Sequence, residues 1–212
     1  MEKSPSDAEQ ICPTHPAHVN FSIIAIAASA GGLKALSQLL SALPANFAVP
    51  VVIVQHLDRK HRSLMADILS RRTKLQVKQA QQGELMEAGI VYIAPPNYHL
   101  LVTSQGYVEL TQSEVIHFVR PSADVLFQSV AENYKSRAIA VVLTGTGVDG
   151  AIGVREIKQK GGTVIVQDSK TSEFDGMPKA AIKTGLVDQI LPLSEIATAL
   201  IALVMGSNAD EQ

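Results

Sequence analysis

The amino-acid sequence predicts an α/β fold with a doubly wound, mostly parallel sheet, helices on both faces and an antiparallel hairpin. Segments with apolar residues at helical spacing alternate with short apolar runs along most of the chain, an order typical of parallel sheets. Residues 23–28, 51–54 and 138–143 are apolar throughout, as expected of strands covered on both faces. Residues 98–103 and 107–111 flank a glycine-containing loop and predict the hairpin.

The first predicted strand ends at Ser29, and Gly31 and Gly32 separate it from a helix with leucines at positions 33, 36, 39, 40 and 43. Ser29 therefore lies on a turn at the carboxyl end of a strand, where open α/β sheets bind ligands. One interpretation makes Ser29 a reactive side chain. The other makes it the N-cap of the helix, with the glycines serving only the turn.

The other elements follow from apolar periodicity and from the positions of proline and glycine. We predict strands over residues 50–55, 75–80, 89–94, 138–143, 163–167 and 186–191. We predict helices from about residue 61 to residue 74, from Pro121-Ser122 onward, and over residues 151–160, 177–184 and 193–204.

The composition suits one sizeable core, because 46% of the 212 residues are apolar and 18% are charged. We expect one domain over residues 21–206, between a disordered polar tail (1–20) and a short C-terminal tail (207–212). The first tail has the pattern of neither a signal peptide nor a membrane anchor, and it has too little apolar surface to act as a lid. A net charge of −2, 4% aromatic residues and the absence of tryptophan argue against a nucleic-acid partner.

Cys12 is the single cysteine, which excludes an internal disulfide framework and fits a reducing, cytoplasmic compartment. His15 and His18 have no partner ligands at metal spacing. We therefore predict no metal site and no cofactor.

Three polar residues follow strongly apolar strands: Ser29, His56 and Asp149. Because parallel strands present their carboxyl ends at one edge of the sheet, these side chains can meet there. They supply a nucleophile, a general base and a carboxylate that orients the imidazole, which are the parts of a serine hydrolase triad. The chain order Ser, His, Asp differs from that of the α/β-hydrolases.

Backbone N–H groups of Ala30 and Gly31, together with the glycine-rich loop 145–147, are candidates to stabilise a tetrahedral oxyanion. Arg120 precedes the helix that begins at Pro121-Ser122. Its guanidinium either holds a carboxylate or fastens a loop.

Six basic residues lie between residues 59 and 74 of an otherwise slightly acidic chain. They form either a solvated face or a docking surface for an acidic partner. This basic cluster consists of Arg59, Lys60, Arg62, Arg71, Arg72 and Lys74.

Six separated blocks together resemble the catalytic domain of the chemotaxis protein-glutamate methylesterases (CheB), and the match runs in order from about residue 20 to residue 205. Their number and spacing make the resemblance far more specific than any single motif. The blocks are residues 28–32, Gln55-His56, Ala94-Pro95 with His99-Leu100, Arg120-Pro121-Ser122 with Asp124, residues 143–150, and Gly176-Met177-Pro178.

The resemblance implies a serine hydrolase that removes methyl esters from receptor glutamates, releases methanol and often deamidates receptor glutamines. Ser29 would be the nucleophile, His56 the base and Asp149 the orienting acid, with the amide of Thr146 as an oxyanion donor. The implied partners are the methylated cytoplasmic helices of a chemoreceptor, and a methyltransferase encoded with the protein or fused to it.

Arg120 and Met177 join the oxyanion donors in the expected substrate-contacting set. The chain departs from the family pattern at Ala27, where glycine is usual, and at Thr146, where methionine is usual. Neither change removes a triad member, but both bear on the strain of the turn or on the ester pocket. The family's N-terminal receiver domain is missing from this sequence, so we expect either a stand-alone form or a fragment of a longer chain.

A second function stays open on the residues alone: a non-catalytic module that holds a nucleotide or phosphate with Gly31-Gly32 and loop 145–150. The motif support for this alternative is weak. The first strand is not followed by a G-x-G-x-x-G turn, and residues 144–150 lack the lysine of a phosphate loop. A fluorophosphonate probe separates the two functions, because only an activated serine reacts with it.

Overall fold

The computed structural model describes residues 21–56 and 63–206, so the two predicted tails lie outside the described residues. The centre of the structure is a sheet of seven strands in which every neighbouring pair runs parallel, accompanied by a two-stranded antiparallel hairpin. The strands in chain order are β1 (Ile23–Ala28), β2 (Val51–Gln55), β3 (Gln76–Gln79), β4 (Ile90–Ile93), β5 (His99–Val102), β6 (Val108–Thr111), β7 (Ala138–Val142), β8 (Thr163–Gln167) and β9 (Gln189–Leu191).

Helices cover both faces of the sheet, which explains why every residue of the central strands β1 and β7 is apolar. Ile24 and Ile26 of β1 point to one face, and Ile23 and Ala25 point to the other. The helices are α1 (Gly32–Ser41), α2 (Met65–Ser70), α3 (Ala123–Tyr134), α4 (Ala151–Gln159), α5 (Gly176–Ile182) and α6 (Leu193–Met205). Helices α1, α2 and α6 pack on the first face, and α3, α4 and α5 pack on the second.

The hairpin of β5 and β6 pairs antiparallel, with Leu100 opposite Leu110. It packs beside α3, where the N–H of Val102 donates to Ser129 Oγ at 3.2 Å. The predicted fold class, a doubly wound and mostly parallel sheet with an antiparallel hairpin, is confirmed.

The strand order across the sheet is β3-β4-β2-β1-β7-β8-β9. After β1 the chain builds one side of the sheet with β2, β3 and β4, and it later returns to build the other side from β7 outward. The winding direction therefore reverses between β1 and β7. Open α/β sheets bind ligands at such a reversal, just outside the carboxyl ends of the strands.

The start of α1 shows whether Ser29 is the N-cap of this helix. The helix begins at Gly32, and its N-cap residue is Gly31 with a φ of 76°. Ser29 lies before this turn, and its side chain makes no capping hydrogen bond to the helix. The N-cap interpretation of Ser29 is therefore wrong, because the left-handed turn at Gly31 starts the helix two residues later.

Helix α2 is shorter than the helix expected from about residue 61 to residue 74. It spans Met65–Ser70. Residues 57–62, and with them Arg59, Lys60 and Arg62 of the basic cluster, lie outside the described residues. Thr73 Oγ1 donates to the carbonyl of Leu40 at 2.7 Å and accepts from the N–H of Leu75 at 3.2 Å. These side-chain bonds to the backbone compete with helical ones and turn the chain towards β3.

Candidate active site

Ser29 is the first residue after β1, at the reversal of the sheet winding. Its backbone is held on three sides: its N–H donates to the carbonyl of Thr144 at 3.0 Å, and its carbonyl accepts from Gln55 Nε2 at 2.7 Å and from the N–H of Gly32 at 2.9 Å. Its hydroxyl makes no hydrogen bond within residues 21–56 and 63–206. The turn thus fixes the backbone of Ser29 and leaves its Oγ available for chemistry.

His56 is the first residue after β2, which pairs in register with β1. Ala28 is the register partner of Gln55, and the N–H of His56 donates to the carbonyl of Ala28 at 3.1 Å. Ser29 and His56 therefore leave neighbouring strands at the same level. Main-chain pairing, and not a contact between the two side chains, sets this proximity.

Asp149 orients the imidazole of His56, since the distance between Asp149 Oδ2 and His56 Nε2 is 2.7 Å. The carboxyl side chain is only 3% exposed and the imidazole is 12% exposed. Because an ionised carboxylate can only accept hydrogen bonds, Nε2 must carry the hydrogen. Nδ1 is then the unprotonated nitrogen, which can act as a base.

Asp149 is held by donors from the start of α3. Oδ1 accepts from Ser122 Oγ at 2.7 Å and from the N–H of Asp124 at 3.1 Å, while Oδ2 also accepts from the N–H of Ala123 at 2.6 Å. Burial by itself would raise the pKa of Asp149, but the hydrogen bonds from His56, Ser122 and Ala123 outweigh it and hold this pKa below its ordinary value. Asp149 is therefore ionised and fixed in direction at neutral pH.

His99 supports Ser122 from the opposite side. It is fully buried, its Nδ1 accepts from the N–H of Ser122 at 3.2 Å and its Nε2 donates to the carbonyl of Glu114 at 3.0 Å. Burial lowers the pKa of His99, so the ring stays neutral and can accept at Nδ1. A neutral buried histidine thus helps to hold the serine that donates to Asp149.

The N–H groups of Ala30, Gly31 and Thr146 are the candidate oxyanion donors, and within the described part of the chain none of them donates a hydrogen bond. Thr146 belongs to the exposed tip of the loop after β7. That loop lies against Ser29, since a Cβ built on Gly145 would lie 2.8 Å from Ser29 Cβ. Only glycine permits this approach.

Met177 contacts the same loop from inside. It is 1% exposed, and its Sδ would lie 2.3 Å from a Cβ on Gly145. In this structure Met177 therefore supports the loop and does not line an open surface, so its assignment to the substrate-contacting set stays a prediction.

Arg120 fastens the loop that precedes α3. Its Nε and Nη2 donate to Asn97 Oδ1 at 3.2 and 2.7 Å, and its Nη1 donates to the carbonyls of Gln112 and Ser113 at 2.7 and 2.6 Å. These contacts are those of the loop-fastening alternative. A substrate contact of Arg120 stays a prediction.

A groove of about 930 Å³ extends from Ser29 along the outer side of α1. Its walls include two basic side chains, Lys34 and Arg72, and the apolar side chains of Leu33 and Met65. The two basic side chains give the groove a positive charge, which favours an acidic ligand.

Sequence reasoning brought Ser29, His56 and Asp149 to one edge of the sheet, and the structure puts them there. It included His99, Ser122 and Asp124 in the blocks that carry the family resemblance but gave none of them a role in the site. The position of Ser122 and Asp124 at a helix start by itself indicates capping of their own helix.

The chain matches the family model described as CheB methylesterase over residues 24–200. The crystal structure of the Thermotoga maritima CheB methylesterase catalytic domain superimposes with a TM-score of 0.84 at 42% identity, and the match covers 88% of this chain and 100% of that one.

Within residues 21–56 and 63–206, no helix has the length and apolarity needed to cross a membrane.

Similar sequences differ in how much of their length this chain spans. A relative from Leptospira interrogans is 40% identical over 185 residues, which are 87% of this chain and 96% of that protein. A protein-glutamate methylesterase/protein-glutamine glutaminase of Burkholderia orbicola is 45% identical over 188 residues, but these make up only 56% of its length. The protein-glutamate methylesterase FrzG of Myxococcus xanthus is 40% identical over 200 residues, 59% of its length. The chain thus spans about half the length of the last two relatives, and it belongs to the CheB methylesterase family.

Proposed function

We propose that the protein is a protein-glutamate methylesterase, which hydrolyses γ-glutamyl methyl esters on the cytoplasmic helices of a chemoreceptor and releases methanol. The same site would deamidate receptor glutamines, with ammonia as the leaving group. The observation that carries the proposal is the 2.7 Å contact between His56 Nε2 and Asp149 Oδ2 beside Ser29. The printed names of the relatives favour the same pair of reactions.

The first half of the reaction forms an acyl-enzyme. Ser29 Oγ attacks the ester carbonyl carbon while His56 Nδ1 accepts the hydroxyl proton. Asp149 keeps the ring in the Nε2–H tautomer and stabilises the imidazolium. When the tetrahedral intermediate collapses, the bond to the methoxy oxygen breaks, and His56 returns the proton so that methanol leaves.

The second half reverses these roles with water. His56 Nδ1 accepts a proton from water, the resulting hydroxide attacks the acyl carbon, and the proton passes back to Ser29 Oγ as the glutamate carboxylate leaves. In both halves the carbonyl oxygen becomes an oxyanion, for which the unpaired N–H groups of Ala30, Gly31 and Thr146 are the available donors. Removing one such donor costs about 3 kcal/mol in comparable enzymes.

The groove along α1 is the proposed seat of the receptor segment that flanks the ester. Lys34 and Arg72 would attract glutamates of that segment, including those already freed of their methyl groups. Arg71 and Lys74, which lie within two residues of Arg72 in the sequence, are also exposed and extend the positive surface.

Methanol release from a methylated cognate receptor tests the proposal. Wild-type protein should release methanol and Ser29→Ala should not, while Ser104→Ala, at an exposed serine in the turn between β5 and β6, should behave like the wild type. A fluorophosphonate should label the wild type and Ser104→Ala but not Ser29→Ala. Failure of the wild type to release methanol, while an established homologue does so on its own receptor, would contradict the assignment.

No contact or comparison favours the phosphate-binding alternative, and the family match argues against it. Labelling of Ser29 would also separate the two functions, since a phosphate-binding loop gives its serine no base.

A further inference from the structure

Two aspartates exchange hydrogen bonds between the starts of α3 and α4. Asp149 immediately precedes the N-cap of α4, but its carboxylate accepts from the N–H groups of Ala123 and Asp124 in α3. Asp124 lies in the first turn of α3, but its Oδ1 accepts from the N–H groups of Gly150 at 3.0 Å and Gly153 at 2.8 Å. The first N–H groups of each helix thus donate to a carboxylate that belongs to the start of the other helix.

Neither helix caps itself. The N-cap serine of α3 donates its hydroxyl to Asp149, and the N-cap residue of α4 is a glycine. The two helices also approach closely, since a Cβ on Gly153 would lie 2.4 Å from Phe127 Cβ. This close packing brings the carboxylate of Asp124 to the first turn of α4.

We propose that Asp124 is a positioning residue for the hydrolytic triad, a role that rests on the proposed function. Asp124 holds the backbone that carries Asp149. It also places a second negative charge next to the carboxylate of Asp149. Gly150 directly follows Asp149, so the bond from its N–H to Asp124 sets the direction in which the Asp149 side chain leaves the chain.

The geometric effect follows from how strictly a triad depends on position. A misplacement of about 1 Å costs on the order of a hundredfold in rate. If Asp124 is removed, the N–H groups of Gly150 and Gly153 lose their acceptor inside the protein. The N–H of Gly150, directly after Asp149, is then no longer held, and the hydrogen bond between His56 and Asp149 loses its alignment.

The electrostatic effect follows from the burial of Asp124. It is 6% exposed, and within the described residues its Oδ2 accepts no hydrogen bond and lies 3.5 Å from His117 Nε2. Burial raises the pKa of Asp124 to about 6; the bond from Gly153 opposes this rise, and the charge of Asp149 adds to it. Asp149 and His117 are the titratable groups that act on it. Above about pH 6 the ionised Asp124 therefore adds its negative charge to that of the neighbouring Asp149.

Two variants of the full chain separate positioning from plain stability. Asp124→Ala removes both acceptors and the charge. Asp188→Ala is the matched control. Asp188 also accepts a hydrogen bond from a buried backbone N–H, that of Val164 at 2.7 Å. It directly precedes β9, the edge strand, which β7 and β8 separate from the strand that leads to Ser29. The measurement is the plateau rate of fluorophosphonate labelling, which depends on the triad and not on the receptor. We expect a drop of at least about tenfold for Asp124→Ala, and no more than about twofold for Asp188→Ala per folded molecule.

A third variant, Asp124→Asn, keeps an acceptor oxygen for α4 but removes the charge, so it is informative even if Asp124→Ala does not fold. We expect the ratio of the labelling rates of the wild type and Asp124→Asn to differ between pH values below and above about 6, since Asp124 carries its charge only above that pH. A ratio that stays constant over the whole pH range, or a folded Asp124→Ala with the plateau rate of Asp188→Ala, would overturn the inference. A wild type that is not labelled at all would overturn the triad assignment and, with it, the inference.

Discussion

Asp149 Oδ2 lies 2.7 Å from His56 Nε2 although 93 residues separate the two in the chain. The contact joins the loop after β7 to the residue after β2, across β1, which lies between these strands and ends directly before Ser29. The proposed nucleophile thus follows the strand that lies between the two strands leading to the proposed base and acid. Main-chain pairing and helix starts set all three positions.

The roles of Ser29 and His56 predict a non-additive pair of mutations. Ser29→Ala and His56→Ala should each lower kcat by roughly 10⁴- to 10⁶-fold without loss of folding, because either change abolishes the attack. The double variant should be little slower than either single one. The measurement is the initial rate of methanol release, with circular dichroism as the control for folding. Losses that multiply in the double variant would show that the two side chains act independently.

Asp149→Asn should be less damaging than either of these changes but still severe, with kcat lower by about 10⁴-fold at most. The asparagine amide group would face donors from His56 or from the start of α3, so the imidazole would no longer be held in the Nε2–H tautomer. Asp188→Asn is the matched control and should keep wild-type kcat, since it lies away from the site. Wild-type activity of Asp149→Asn would rule out an orienting role for Asp149.

Charge reversal in the groove should weaken action on the receptor more than action on a small ester. We expect Lys34→Glu with Arg72→Glu to lower kcat/KM for the methylated receptor by about tenfold or more at low salt, and the loss should shrink as salt screens the charges. A small neutral ester should be affected by less than about twofold. Arg155→Glu, an exposed charge reversal on α4 at the other face of the sheet, controls for net charge. Equal losses on both substrates would assign the two side chains to the fold or to catalysis.

The pH dependence of stability should report the raised pKa of Asp124. Its folded-state pKa of about 6 lies above the ordinary value of 3.8, so the folded state binds this proton more tightly than the unfolded state does. Stability from this group is therefore present at low pH and is lost as pH rises from about 4 to above 6. Relative to Asp124→Asn, the wild type should lose on the order of 1–3 kcal/mol of unfolding free energy over that window.

Denaturant unfolding at closely spaced pH values measures this difference. Asp149 works in the opposite direction, because its lowered pKa contributes stability that is lost as pH falls below its ordinary value. Comparing wild type with Asp124→Asn isolates the contribution of Asp124 from that of Asp149. A difference between the two proteins that does not change with pH would contradict the raised pKa.

Much of the fold followed from local pattern. Apolar runs such as Ile23–Ala28 and Ala138–Val142 indicated strands covered on both faces, and each ended at a polar residue or a glycine-rich loop. The expected positions of Ser29, His56 and Asp149 rested on one geometric rule, that parallel strands share a carboxyl edge. Local pattern misjudged the extent of α2, because Thr73 forms its bonds with Leu40 and Leu75, and Leu40 belongs to another helix. It also began the last strand at residue 186, whereas β9 spans Gln189–Leu191.

The sequence by itself therefore determined which strands are buried and which side chains stand at their ends, because burial and chain reversal leave periodic and compositional traces within a few residues. Only the tertiary structure decided which donors hold Asp149, which nitrogen of His56 faces Asp149, and that Asp124 caps α4 instead of its own helix. These features depend on how closely α3 and α4 approach, and Gly153 allows that approach because it has no Cβ to meet Phe127. Contacts between residues 25 or more positions apart leave no local pattern, since each partner by itself reads as an ordinary helix cap.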